Sequence, residues 1–198
     1  MKNLTRGMIS LVSALACLSV VGAGSASAEA TLCKVSTAPC PAGSLYVAGE
    51  HLTGKATNTR LTASPEITCA SSEITVKVTA STGAADIVKA TTSGCKAGNT
   101  ACAVEAKNLP YSGTADVSAS GPNGILTGEN GEALANCAGF INCTFGLPFA
   151  ALPITGGSTA SITAASVVMN KISGFLCPSS AKWDATYNVP NLWVRPTP

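Results

Sequence analysis

Hydrophobic and polar residues alternate with a period of two along several stretches of the chain, the pattern of strands with one face buried and the other in water. It is clearest from Glu73 to Thr79, where Ile74, Val76 and Val78 share one side and Glu73, Thr75, Lys77 and Thr79 the other. Cys102 to Lys107, Thr114 to Ala119 and Lys182 to Val189 alternate in the same way. Weaker patterns predict short strands at Ser44 to Ala48, Leu52 to Ala56, Arg60 to Ala63, Ile67 to Ala70, Asp86 to Thr92, Ile125 to Thr127 and Ser158 to Met169. Ala133 to Phe145 reads as two strand ends pinched together by Cys137 and Cys143.

Turn residues separate these stretches: Ser81-Thr82-Gly83, Asn108 with Pro110 to Gly113, and Gly121-Pro122-Asn123-Gly124. The run from Phe145 to Ile154 is apolar but holds two prolines, which cannot donate to a ladder, so it is expected as an edge or crossing segment. No helical period appears after residue 28. Many short strands between turns predict an all-β domain, an antiparallel β-sandwich of immunoglobulin-like, Greek-key type. A β-barrel is the alternative.

Lys2 and Arg6, an apolar run from Met8 to Val21 and the small-residue site Ala26-Ser27-Ala28 have the order of a secretory signal, with cleavage expected after Ala28. Residues 29–198 would then form one secreted domain with no further apolar run long enough to cross a membrane. Cys17 raises the alternative of a lipid-modified N-terminus, but the residues before it lack the usual aliphatic side chain three places upstream. Removing Lys2 and Arg6 from 12 basic residues leaves 10 against 10 acidic ones. A net charge near zero gives no electrostatic reason to expect nucleic acid or an anionic membrane as partner.

The chain has 9 cysteines, and the signal takes Cys17. The even set that stays, in an exported chain, predicts four disulfides. Spacing favours the local pairs Cys33–Cys40, Cys95–Cys102 and Cys137–Cys143, which leaves Cys69–Cys177 as one long tie. No two mature cysteines have zinc-finger spacing and His51 is the only histidine, so neither a metal nor a cofactor is expected.

Gly94-Cys95, Cys102-x-Val104, Asn108-Leu109-Pro110-Tyr111-Ser112-Gly113, Cys143-Thr144-Phe145-Gly146 and Cys177-Pro178-x4-Trp183-x-Ala185-x-Tyr187 resemble a group of uncharacterised, Cys-rich secreted proteins of actinobacteria. The Leu-Pro-aromatic-x-Gly turn is similar, more distantly, to the exported family named for activation of alkane oxidation. The resemblance implies an envelope or extracellular β domain and supplies no catalytic residues.

Catalytic readings are thin. His51 lacks a neighbouring nucleophile motif. Glu129 and Glu132 sit in a Gly-rich turn that suits solvated residues better than a hydrolytic pair, and Asp184 lacks a dense calcium-ligand loop. Trp183 and Tyr187 at period-two spacing read first as core and second as a ligand platform. The expectation is therefore a non-enzymatic structural or interaction protein of the cell surface or extracellular matrix, self-association included. Phe145, Leu147, Phe149, Leu152 and Trp193 are its candidate interaction surface. A binding module for a small apolar ligand or glycan is the alternative.

Overall fold

The computed structural model describes residues 30–117, 123–138 and 141–197. The expected signal peptide, its cleavage site and Cys17 lie outside them, as do Ala119 and the first half of the 121–124 turn. The described residues form eleven strands: β1 (Ala30–Cys33), β2 (His51–Thr62), β3 (Ile67–Val78), β4 (Ala84–Ser93), β5 (Cys95–Ala97), β6 (Thr100–Lys107), β7 (Tyr111–Val117), β8 (Gly124–Cys137), β9 (Ile141–Thr155), β10 (Gly157–Ser173) and β11 (Ser180–Pro196). A single 3-10 turn, Ala42–Ser44, occupies part of the strand expected at Ser44 to Ala48.

The pairing is antiparallel throughout and closes on itself. β4 and β5 run end to end along β3, and β6 and β7 run end to end along β8. Counted as two long strands, they complete an up-and-down ring of eight with β2, β3, β8, β9, β10 and β11, because β11 returns to pair with β2. The fold is thus a closed barrel. The expected immunoglobulin-like sandwich is not formed: period-two alternation reports one buried face but not whether that face meets a second sheet or curls onto itself.

Most of the strands are longer than the sequence suggests, because their inward phase changes part-way. In β2, Leu52, Gly54 and Ala56 point inward, then Thr59 and Leu61. Asn58, between them, has a positive φ of 54°. Asn130, Ser166 and Asn191 do the same in β8, β10 and β11. An extra residue bends a strand and raises its twist, which is what closing a small barrel requires. Leu52 to Ala56 and Arg60 to Ala63 are therefore one strand rather than two.

The Phe145 to Ile154 run is also reassigned, since it lies inside β9 between β8 and β10. Its ladder to β10 is interrupted between Ile154 and Gly146, and Pro148 and Pro153, which cannot donate, both fall in that interval.

Two apolar clusters fill the barrel. One is aliphatic and includes Leu32, Val78, Val189, Leu192 and Val194, with β1 and Tyr46 folded over that end. The Tyr46 hydroxyl donates to the Asn191 carbonyl at 3.0 Å. The other cluster holds Leu61, Ile67, Phe145 and Met169 among buried cysteines. On β2 the outward residues are Thr53, Lys55, Thr57, Arg60 and Thr62, so on this strand the outer face is polar. No helix among the described residues is long and apolar enough to cross a membrane.

The disulfides are Cys33–Cys40, Cys69–Cys95, Cys102–Cys137 and Cys143–Cys177, a set that belongs to an oxidising environment. The expected Cys33–Cys40 pair forms; Cys95–Cys102, Cys137–Cys143 and Cys69–Cys177 do not. The six cysteines follow one another around the stapled end in chain order, from β3 through β5, β6, β8 and β9 to the loop before β11. Neighbours in such a series can pair in two alternating ways, and the protein uses the one displaced by a single step.

Candidate functional site

Inside the barrel, between the two clusters, is a cavity of about 160 Å³. Alanine is the reason for the space. Ala90, Ala106, Ala133, Ala150 and Ala164 line it at positions where larger side chains would meet across the barrel. Ile74, Ile87, Leu147, Leu152, Val167 and Met169 add further apolar wall. A second chamber of about 50 Å³ adjoins it, sharing Ile87, Tyr111, Leu147, Ala150 and Leu152. An eight-stranded barrel is just wide enough to be filled by side chains or to hold one small ligand, and the alanines leave this interior partly unfilled.

The wall beside the cavity has a slit, a stretch without ladder pairs. The β4–β5 strand and the β6–β7 strand pair at both ends, Ile87 with Tyr111 and Cys95 with Cys102. Between those points, over residues 88–94 and 103–110, no ladder pair joins them. Local sequence explains the parting. Val88 is an extra residue in the β3–β4 register. Asn108 has a positive φ of 56°, and Pro110 lacks a donor. At Gly94, φ +61°, the chain passes over Ala70 so closely that a Cβ would come within 2.9 Å of the Ala70 Cβ. One bond crosses the slit, from the Thr92 hydroxyl to the Val104 carbonyl at 2.8 Å.

At the far corner Tyr111 is anchored, its hydroxyl 2.5 Å from both the Lys107 and the Glu132 carbonyl oxygens. Burial holds its phenol above the usual range. Glu105 and Glu132 form the polar rim, and Asn108 Nδ2 donates to the Glu132 carboxylate.

The disulfides anchor the slit without closing it. Cys69–Cys95 ties one edge back to β3, and Cys102–Cys137 ties the other to β8. The Cys95–Cys102 bridge expected from spacing would have clamped the two edges together. Cys143–Cys177 binds the loop before β11 to β9 at the same end of the barrel.

Three of the polar side chains that line the cavity form one small cluster. Trp183 Nε1 donates to the Tyr187 hydroxyl at 3.2 Å, and that hydroxyl shares a hydrogen bond of 3.1 Å with Ser72 Oγ. Ser72 and Tyr187 are 4% and 6% exposed. Burial pushes the Tyr187 phenol above its ordinary pKa, opposed by its hydrogen bonds with Ser72 and Trp183.

No protein family, curated protein or solved structure matches this chain.

The candidate interaction surface is only partly exposed. Phe145 is 1% exposed, in the second cluster; Leu147 and Leu152 face the cavity; Trp193 is half-buried opposite Cys33 on β1. Phe149 alone of the five is exposed, at 55%. Phase explains it: β9 turns Phe145 and Leu147 inward, shifts at Pro148 and Phe149, then turns Ala150, Leu152 and Ile154 inward. His51 is exposed at the head of β2 opposite Lys77. Glu129 is exposed on β8, while Asp184 accepts from the Ser166 amide at 2.7 Å and lies 4.0 Å from Arg60. Among the described residues no three His, Cys, Asp or Glu side chains are grouped to hold a metal ion.

Sequence reasoning missed the cavity-lining alanines and the slit. The alanines had a signal, since Ala106, Ala133 and Ala164 lie in or beside strands whose inward phase is readable.

Proposed function

We propose that this protein is an exported binding module that takes one small apolar ligand into the barrel through the slit between β4 and β6. The observation that carries the reading is the alanine-lined cavity beside a stretch of wall, between β4 and β6, that lacks ladder bonds. A glycan fits this interior poorly: its many hydroxyls would lose water and meet alkyl groups, while an apolar ligand gains about 25 cal/mol per Å² of surface removed from water. Four disulfides and the resemblance to secreted actinobacterial proteins agree with export. The test is Ala164→Leu, which fills the cavity from a position only 4% exposed. Wild type should gain thermal stability with a one-ring aromatic hydrocarbon; the variant should be as stable or more so without ligand and gain nothing from it. Equal gains in both would refute the reading.

A second reading, the structural or interaction protein, has one observation of its own. Val168, Ile172, Phe175 and Leu176 are 50%, 56%, 87% and 79% exposed along the end of β10 and the loop after it. Together with Phe149 on β9 they offer an outward apolar surface. Sedimentation of Phe175→Asp/Leu176→Asp beside wild type tests whether that surface drives self-association.

A further inference from the structure

The polar cluster inside the cavity narrows the class of ligand. Trp183 Nε1–H, the Tyr187 hydroxyl and the Ser72 hydroxyl bring three donor hydrogens, and the two hydrogen bonds among them use two. If Tyr187 donates to Ser72, the Ser72 hydrogen is left over; if Ser72 donates, the Tyr187 hydrogen is. Neither hydroxyl makes another hydrogen bond among the described residues, and both groups line the apolar cavity. A buried donor without an acceptor is unfavourable, so the space in front of it suits an oxygen.

From this we infer that the ligand is a small neutral molecule, one ring or a short chain, carrying a single hydrogen-bond acceptor such as a ketone, ester or ether oxygen. The inference rests on the proposed binding function and adds its chemical class. Size follows from the cavity, since about 150 Å³ of apolar space accommodates benzene, and this cavity is about 160 Å³ with a further chamber beside it. Neutrality follows from the wall. Of the lining residues only Glu105 and Glu132 carry formal charge, and both belong to the rim, so a charged ligand would lose its hydration without a counter-ion inside. The indole N–H fixes which way the cluster points, because it occupies one acceptor position of the Tyr187 oxygen.

The experiment compares two probes of one shape on the oxidised wild-type protein: acetophenone, and α-methylstyrene, in which a methylene replaces the carbonyl oxygen. Calorimetric titration should show acetophenone binding about tenfold more tightly. Bound acetophenone should also show its carbonyl infrared stretch at lower frequency than in a hydrocarbon solvent, the mark of a donated hydrogen bond. If both probes bind equally and the stretch is unshifted, the acceptor assignment is overturned while the binding reading stands. If neither binds, the binding reading itself fails.

Discussion

The two halves of this barrel are held in different ways. At the β1 end, aliphatic side chains meet across the interior, and Leu32, Val78, Val189, Leu192 and Val194 are between 0% and 4% exposed. At the other end three disulfides share the interior with Phe145, Leu61 and Ile67. The aliphatic end depends on volume, so any lost methylene is felt there. The stapled end fixes its strands covalently and tolerates imperfect filling nearby. That difference accounts for the position of the cavity and the slit: the slit's edges run into the stapled end, each tied to its outer neighbour rather than to the other.

The sharpest way to break the comparison is to remove one staple. Cys102→Ala/Cys137→Ala opens a bridge between residues 35 apart in sequence, and the chain-entropy estimate puts the loss near 4 kcal/mol. Urea unfolding should show that loss, and ligand affinity should change with it, because one slit edge is released. Leu192→Ala at the aliphatic end should cost about 3 kcal/mol in the same assay yet leave affinity unchanged, since Leu192 does not line the cavity. Equal effects on binding from both variants would dissolve the distinction between the halves.

Alkaline pH acts on both regions, and more gently. Burial raises the phenol pKa of Tyr187 and Tyr111 beside the cavity and of Tyr46 at the aliphatic end, where Glu50 adds to it. Below pH 10 these tyrosines are protonated whether the chain is folded or not. Above it the unfolded chain releases their protons while the barrel retains them, so stability falls as pH rises from about 10 toward the folded values. Tyr187→Phe should flatten part of that decline in pH-dependent urea midpoints.

The smallest effect concerns Thr59, 0% exposed at the stapled end with no partner for its hydroxyl among the described residues. Thr59→Val should raise stability by about 1 kcal/mol, a Tm gain of about 2–4 °C. A loss would mean that the hydroxyl is satisfied after all.

Much of the all-β character was legible from Ile74, Val76 and Val78 and from Trp183 to Val189, because alternation is a local property of the chain. Barrel closure was not, since it depends on how twist accumulates through Asn58, Asn130, Ser166 and Asn191; in sequence the three asparagines look like strand ends and Ser166 like an ordinary strand residue. The cysteines were legible as bridged, and Cys33–Cys40 in its pairing, but for the other six short spacing favoured the local pairs and the barrel instead ties each to a cysteine far along the chain. Trp183 and Tyr187 were placed correctly on an inward face. What that face encloses depended on alanines contributed by β4, β6, β8, β9 and β10, which only the closed ring brings together.

The most direct measurement is chemical-shift mapping of the oxidised protein with a one-ring aromatic hydrocarbon such as toluene. Binding through the slit should move the resonances of Ala90, Val104, Ala164, Trp183 and Tyr187 and slow amide exchange along the slit edges. Shifts confined to Phe149, Val168, Ile172 and Phe175 would put the ligand on the outer wall and contradict an internal site.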